Sequence, residues 1–497
     1  MEIVETLKQE GKLERVGCIG DGGQITWAPL ILVEGKEKEM GTEELVVVEN
    51  LNGNAVLAVC RSGYGRSPSL QRSRYSPGRA YARLGEQPSS SRESFDFNLS
   101  VVGEVTSETV RQSKLILAPR SAVYRFTSGN PFSLMGISEE YEVGYYKDHP
   151  AWKVPALPKY VPYHLGAFCT TGWGKTSLVR SKIIPLLQRT GYGVIVFDWK
   201  GDDYVPYYDR VISGHAIGEK IEERVASLVS FILGKTGYFG FGTDSSMGKA
   251  GEKGLEHAVN SLDLDELARG EAFKRELLEQ LPASIDRYAS HYIDDDVKKV
   301  TKHYIQDIPP EAFDAYLEHE KQIQRHTPDA IIGQARQKHE LVVDLSGMES
   351  NEKLDVFLSI ARRLRYLMDV EKEKVGAALV IDEGPQYCPY RPSGIQAETM
   401  KVIVDLAALG RSYGLPIVLL SQGIAGDIGI NAAVRRNINT WFIGKVHPLD
   451  RREAEELLPD VNLDFLQSLD VGHFYFFGNM SPSPVPLLIR FELNEDE

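Results

Sequence analysis

The alternation of apolar and polar positions changes character along the 497 residues. From Val16 to about Arg61, short β-rich runs are broken by glycine: "RVGCIGDGG", "APLILVEG" and "ELVVVENLNGNAVLAVCR". The last sets two β-branched runs around Asn52-Gly53, a hairpin signal. Apolar runs "FDFNLSVVGEV" and "SKLILAP" continue to about Pro119, predicting a small all-β unit, a barrel or a sandwich. After the proline-rich "HPAWKVPALPKYVP", continuous apolar strands alternate with amphipathic helices, the pattern of a parallel sheet covered on both faces. Between them, from about Ile217 to His326, the chain is helical and charged, with "DELARGEAFKRELLEQL" and "PPEAFDAYLEHEKQIQRH" as amphipathic segments. The expected division is 1–150 for the β unit, 151–216 with 327–497 for the α/β core, and 217–326 for a helical insertion or lid.

Composition narrows the class. With 42% hydrophobic and 25% charged residues the chain is globular, and no apolar run approaches the roughly 18 residues of a membrane span. The first residues, "MEIVETLKQEGK", are charged, so a soluble cytoplasmic protein without membrane insertion is expected. Cys18, Cys60, Cys169 and Cys388 show neither pairing nor metal spacing, which fits a reducing compartment and no structural zinc. A net charge of −14 repels a polyanion, so any nucleic-acid contact must be local, in a groove or pore. One stretch contrasts with the acidic whole. Arg61, Arg66, Arg72, Arg74, Arg79 and Arg83 lie in a loop, 61–85, with no acid before Glu86. It reads as a solvated loop or as a contact for phosphate or an acidic partner protein.

The chemistry begins at "GAFCTTGWGKTSL". The phosphate-loop pattern G-x-x-x-x-G-K-[ST] cradles phosphates with backbone N–H groups, reaches them with lysine and holds Mg²⁺ with the hydroxyl. Gly174, Lys175 and Thr176 fit, while Cys169, small enough, replaces the first glycine. Thr171, Gly172, Trp173, Gly174, Lys175, Thr176 and Ser177 are the expected nucleotide-binding residues. Trp173 either faces outward, toward a neighbouring subunit, or covers local apolar surface. "ALVIDEG" ends a strand in two acids, Asp382 as the Mg²⁺ carboxylate beside Thr176, and Glu383 as the base that orients water. Asp198, closing the strand after the loop helix, is a further water or Mg²⁺ contact or a cap. Gln422 is a γ-phosphate sensor or a structural amide, and Arg411, Arg435 and Arg436 are either trans-acting arginines or surface ones. ATP and Mg²⁺ are the cofactors this set calls for.

The ordered set "TTGWGKTS", "VIVFDWKGDDY", "VVDLSG", "VIDEG", "GRSYGLPIVLLSQ" and "LDVGHFYFFG" resembles the HerA family of hexameric ATPases, within the FtsK/HerA motor superfamily. The resemblance implies a RecA-like P-loop NTPase core with a helical insertion, preceded by a small β-barrel. It further implies a homo-oligomeric, hexameric ring that passes DNA through its pore as a translocase or helicase, often with a nuclease partner. Under it, Lys175, Thr176, Asp382, Glu383 and Gln422 fall on the family's site positions, Asp198, Gly201 and Asp202 on its F-D-x-x-G-E-Y signature, and Arg411 on the second arginine of R-E-G-R-x-F-G. The first arginine of that segment is Ala408 here, and "SQGIAGD" departs from the family's proline. The chain stops soon after "LIRFEL", so a short or missing C-terminal arm is expected. Two further readings are a secretion- or conjugation-type motor and a nucleotide-binding scaffold without turnover.

Overall fold

A computed structural model describes residues 2–70, 77–85, 93–217, 246–262, 270–289, 294–314 and 326–493. The chain forms two compact units, Met1–Val211 with Ile332–Glu497, and Ile212–Ile331. No described helix is long and apolar enough to cross a membrane.

In the first unit, strands β1 (Leu13–Ile19), β2 (Trp27–Leu32), β3 (Leu45–Glu49), β4 (Ala55–Arg66), β5 (Ser94–Val105), β6 (Val110–Arg111) and β7 (Ala122–Phe126) build an antiparallel sheet in the order β2-β1-β7-β3-β4-β5-β6, with β2 also pairing to β5. The β3–β4 hairpin pairs Glu49 with Ala55 and Leu45 with Val59, its turn made around Gly53 at φ 94°. Asn50 ties that turn down. Its amide donates to Asn54 Oδ1 at 2.8 Å and its oxygen accepts from Ala118 N–H at 2.9 Å. Strand side chains alternate between faces, yet both faces of this hairpin are apolar. Val46, Val48, Val56, Ala58 and Cys60 fill the sheet's own core, while Leu45, Val47, Leu57 and Val59 pack into the larger core shared with the α/β part of the unit. That double burial is why the two runs lack polar positions.

Arg61 differs from the expected surface patch. It is 2% exposed, its guanidinium paired with Glu43 and donating to the Pro486 carbonyl at 2.6 Å. Tyr475 Oη–H donates to the same Glu43 at 3.1 Å. Arg61 follows Val59 by two residues and so points to the inner face, where only a paired charge is tolerated. Nor is 61–85 a single loop: β4 runs to Arg66, which pairs with Asp96 at 3.6 Å, and a helix covers Pro77–Arg83. Arg72 and Arg74 lie outside the described residues.

The second sheet uses β8 (Glu142–Tyr146), β9 (His149–Pro155), β10 (Leu165–Phe168) and β11 (Gly193–Asp198). After β12 (Val211–Ser213), where the chain passes into the other unit, come β13 (Glu340–Asp344), β14 (Ala377–Ile381), β15 (Ile417–Ser421), β16 (Thr440–Ile443), β17 (His473–Gly478) and β18 (Leu487–Arg490). The order is β13-β11-β14-β15-β10-β16-β17-β18-β8-β9. The run β13 to β16 is parallel, the rest antiparallel. Strands β10, β11, β14 and β15 are buried throughout, because helices such as Ser350–Asp369 and Gly394–Tyr413 bury their apolar stripes against the sheet. The unit Ile212–Ile331 is helical, with Ser246–Asn260, Gly270–Ile285 and Asp294–Gln306 around a core of Leu255, Phe273, Leu277, Leu281 and Ile305. Phe273, Leu277 and Leu281 recur every four residues, the stripe that the sequence pattern predicts.

His164 fixes where β10 begins. It takes φ 63°, and its buried ring accepts from Ile417 N–H at Nδ1 (3.1 Å) and donates from Nε2 to the Ala407 carbonyl (2.8 Å). The ring is therefore neutral. Burial lowers its pKa from 6.5 to about 4, against the pull of the Ala407 carbonyl. A histidine depressed by folding contributes stability above its unfolded pKa and loses it as pH falls toward the folded one. Between pH 7 and about 4.5 the wild type is expected to lose on the order of 2 kcal/mol more stability than His164→Gln. Urea denaturation of both proteins at the two pH values checks this; parallel losses would contradict it.

Candidate nucleotide site

Parallel register brings the strand ends to one edge. Phe168 pairs with Ser421 and with Ile443, Ile381 with Phe197 and with Leu419. The next residues along the chain, Cys169, Asp198, Asp382 and Gln422, therefore emerge together at the carboxyl edge, where open α/β sheets bind ligands.

The loop after β10 turns on two glycines in left-handed conformation, Gly172 at φ 78° and Gly174 at φ 87°. Side chains at either would be strained. Cys169, in the position of the usual first glycine, is buried, donates its N–H to Ser421 O at 3.3 Å, and has its thiol pushed up to about 11 by burial. Room for its side chain comes from Gly444: a Cβ there would lie 2.9 Å from Cys169 Cβ. Trp173 is anchored within the chain. Its indole N–H donates to Leu469 O at 3.1 Å, its carbonyl accepts from Gly472 N–H at 3.3 Å, and Lys445 Nζ sits 4.4 Å from the ring centre. The ring does not line the cavity, so its contribution is to brace the loop.

Lys175 opens the helix that follows, Lys175–Leu178, which continues as a π stretch, Val179–Ile183, into Ile184–Arg189. Pro185, with no N–H to donate, accounts for the widened turn. A cavity of about 200 Å³ lies above the helix N-terminus, lined from the loop by Thr171, Gly172, Gly174, Lys175, Thr176 and Ser177. Asp382, Glu383, Gln422, Lys200 and Asp203 line the facing wall.

The carboxylates there differ in surroundings. Asp382 is 2% exposed, and burial raises its pKa to about 7 although Lys175 pulls it down. Its Oδ1 accepts from Glu383 N–H at 2.8 Å. Glu383 adopts φ 51°, ψ 50°, rare for a side chain with a Cβ and typical of strained functional positions. Its Oε1 accepts from Lys200 Nζ at 2.5 Å and from Gln422 Nε2 at 3.0 Å, and its Oε2 from Gln422 at 3.2 Å. Gln422 Oε1 in turn accepts from Thr171 Oγ1–H at 2.9 Å, so the amide bridges the phosphate loop to Glu383.

Asp198 does not line the cavity. Fully buried, it accepts backbone N–H groups from Lys200 (3.2 Å) and Gly201 (2.9 Å) at Oδ1, and from Tyr204 (2.8 Å) and Val205 (3.2 Å) at Oδ2. Its carboxylate folds the loop that presents Lys200 and Asp203. Those two were missed in the sequence because a charged residue past a strand end is commonplace; the only signal was their place in "FDWKGDDY". Burial raises the Asp203 pKa while Lys200 opposes it. Arg411, Arg435 and Arg436 are not brought to the cavity. Arg411 closes the helix before β15 and stacks on Tyr163 at 4.2 Å, and Arg435 and Arg436 precede β16, lining a second cavity with Glu453 and Glu456. All three precede strands, at the sheet edge opposite the phosphate loop.

Asp198→Ala is expected to destabilise the protein by about 3 kcal/mol, since it strands four backbone donors at a buried carboxylate, whereas Asp203→Asn should change stability by about 1 kcal/mol or less. Chemical denaturation of the two variants separates the structural carboxylate from the cavity one.

Residues 141–364 match the family model described as "Helicase HerA, central domain". No curated protein sequence matches the chain. Among solved structures, VirB4 of Thermoanaerobacter pseudethanolicus is similar at 14% identity and TM-score 0.40, over 72% of this chain and 99% of that one. The bacterial conjugative coupling protein TrwBdeltaN70 is similar at 14% identity and TM-score 0.37, over 69% and 88%. The genome packaging NTPase B204 from Sulfolobus turreted icosahedral virus 2, solved with AMPPCP, is similar at 12% identity and TM-score 0.32, over 67% and 100%. Residues 141–364, a little under half of the chain, thus resemble the central domain of HerA-type helicases.

Proposed function

We propose that the protein is an ATP-driven, ring-forming translocase or helicase acting on DNA, in the manner expected of a HerA-type motor. The observation that carries the reading is the convergence of Lys175, Thr176, Asp382 and Glu383 on one cavity at the carboxyl edge of the sheet. Lys175, 8% exposed at the helix N-terminus, binds the β- and γ-phosphates together with the loop N–H groups. Glu383 orients the attacking water and Gln422 couples it to the loop.

Magnesium suits this donor set. Among the described residues no three His, Cys, Asp or Glu side chains group into a metal site, and Mg²⁺ is held by one or two protein oxygens plus phosphates and water. Thr176 and Asp382 would hold it, and a cation there would keep the Asp382 carboxyl ionised; when bound it neutralises charge on the transferring phosphoryl group. Because Arg411, Arg435 and Arg436 lie at the opposite sheet edge, any part they take in hydrolysis comes from a neighbouring copy in the ring. The extra β2–β5 pairing supports reading the N-terminal sheet as the small barrel of such motors. The exposed Arg66 and Arg83 remain candidates for DNA or a nuclease partner.

Lys175→Ala should abolish ATP binding, and Glu383→Gln should retain binding while lowering turnover by roughly 10²-fold or more. Turnover in Glu383→Gln equal to that of the wild type would contradict the role given to Glu383. Native mass measurement with ATP and forked DNA should show a closed oligomer, and DNA should stimulate hydrolysis in a salt-dependent way. A persistent monomer removes the ring, and hydrolysis indifferent to DNA removes the cargo.

A further inference from the structure

Lys200 belongs to no motif, yet it is the residue most closely engaged with Glu383. Its ammonium lies 2.5 Å from Glu383 Oε1 and 3.9 Å from Asp203. The two partners are held very differently. The Lys200 side chain is 49% exposed and the Glu383 side chain 11%. Glu383 is fixed further by its left-handed backbone and by Gln422 on both oxygens. The loop under Lys200 is fixed as well, by the four N–H groups that Asp198 collects. The long lysine stem is the half-exposed part of this arrangement, and Lys200 borders the same cavity as Lys175.

Lys200 takes up one lone pair of Glu383 Oε1, while Gln422 reaches both carboxylate oxygens. A terminal phosphate held by the loop would be a stronger partner for Lys200 than a single carboxylate, since it offers more charge and three oxygens. A diphosphate places no group at the third-phosphate position. We propose that Lys200 senses the third phosphate: it exchanges Glu383 for that group when a nucleoside triphosphate binds, and so frees a lone pair on Glu383 Oε1 to orient water. This deepens the nucleotide reading above and rests on it. Hydrolysis is thereby tied to the presence of the third phosphate by one side chain, with no backbone rearrangement.

The test is a binding cycle on the full chain, with ADP and a non-hydrolysable ATP analogue as probes. In Lys200→Met the analogue should bind about tenfold more weakly while ADP affinity stays within about twofold, and Lys200→Arg should keep the preference for the triphosphate. In Glu383→Gln the analogue should bind a few-fold more tightly, about three- to tenfold, because Lys200 no longer has an ionic partner to leave. That tightening should vanish when Lys200→Met is added. Equal weakening of both nucleotides in Lys200→Met, no tightening in Glu383→Gln alone, or the same tightening with and without Lys200 would each overturn the exchange. Since Glu383→Gln leaves Lys200 in place, a misfolded Lys200→Met would not spare the proposal. A wild type that binds neither probe would instead overturn the nucleotide reading itself, and the exchange with it.

Discussion

Everything at the site depends on the register of five adjacent parallel pairings. Parallel strands cannot slip by one residue without turning every buried side chain toward the wrong layer, and here β10, β11, β14 and β15 are buried on both faces. The sheet therefore holds Phe168 level with Ser421, and Phe197 level with Ile381 and Leu419, and the residues that follow inherit that alignment. Precision at the cavity is thus derived from apolar packing in the sheet interior. His164 sets the level at the opposite end of β10, through its ties to the Ile417 N–H and the Ala407 carbonyl.

The rigid edge carries a graded set of carboxyl groups. Asp198 is consumed by backbone donors, Asp382 is dry and faces the buried Lys175, and Glu383 is shared between an amide and a half-exposed ammonium. Three acids at two neighbouring strand ends thus have three chemical fates, set by what reaches their oxygens rather than by residue type. The chain Thr171, Gln422, Glu383 and Lys200 runs from the phosphate loop across two strand ends to the loop after β11. Polar networks of this kind transmit a change at one member to the others, since each oxygen has few lone pairs to share.

Much of this was legible in the sequence, and the reasons differ by residue. Lys175 and Thr176 could be found because a phosphate loop is local, and Asp382, Glu383 and Gln422 because a buried strand that ends in a polar residue delivers it to the carboxyl edge. The hairpin around Gly53 was visible through β-branching and its turn residues. Lys200 and Asp203 were not legible: their meaning is a pairing across 183 residues of chain in the case of Lys200 and Glu383. Arg61 looked like one of a basic cluster because composition does not show which face of β4 a residue takes, and its partner Glu43 lies on another segment. Trp173 could not be placed because Leu469 and Lys445, which seat it, are distant in sequence.

The fit between Cys169 and Gly444 limits which residues this loop accepts. A Cβ at position 444 would collide with the Cys169 side chain, and would also lie 3.3 Å from the His473 carbonyl. The two positions, each just past the end of one of two paired strands, therefore constrain each other: a side chain at 169 calls for a bare glycine at 444. The unusual phosphate loop is thus a property of two neighbouring strands, in which the space for a side chain at 169 is left by the glycine at 444.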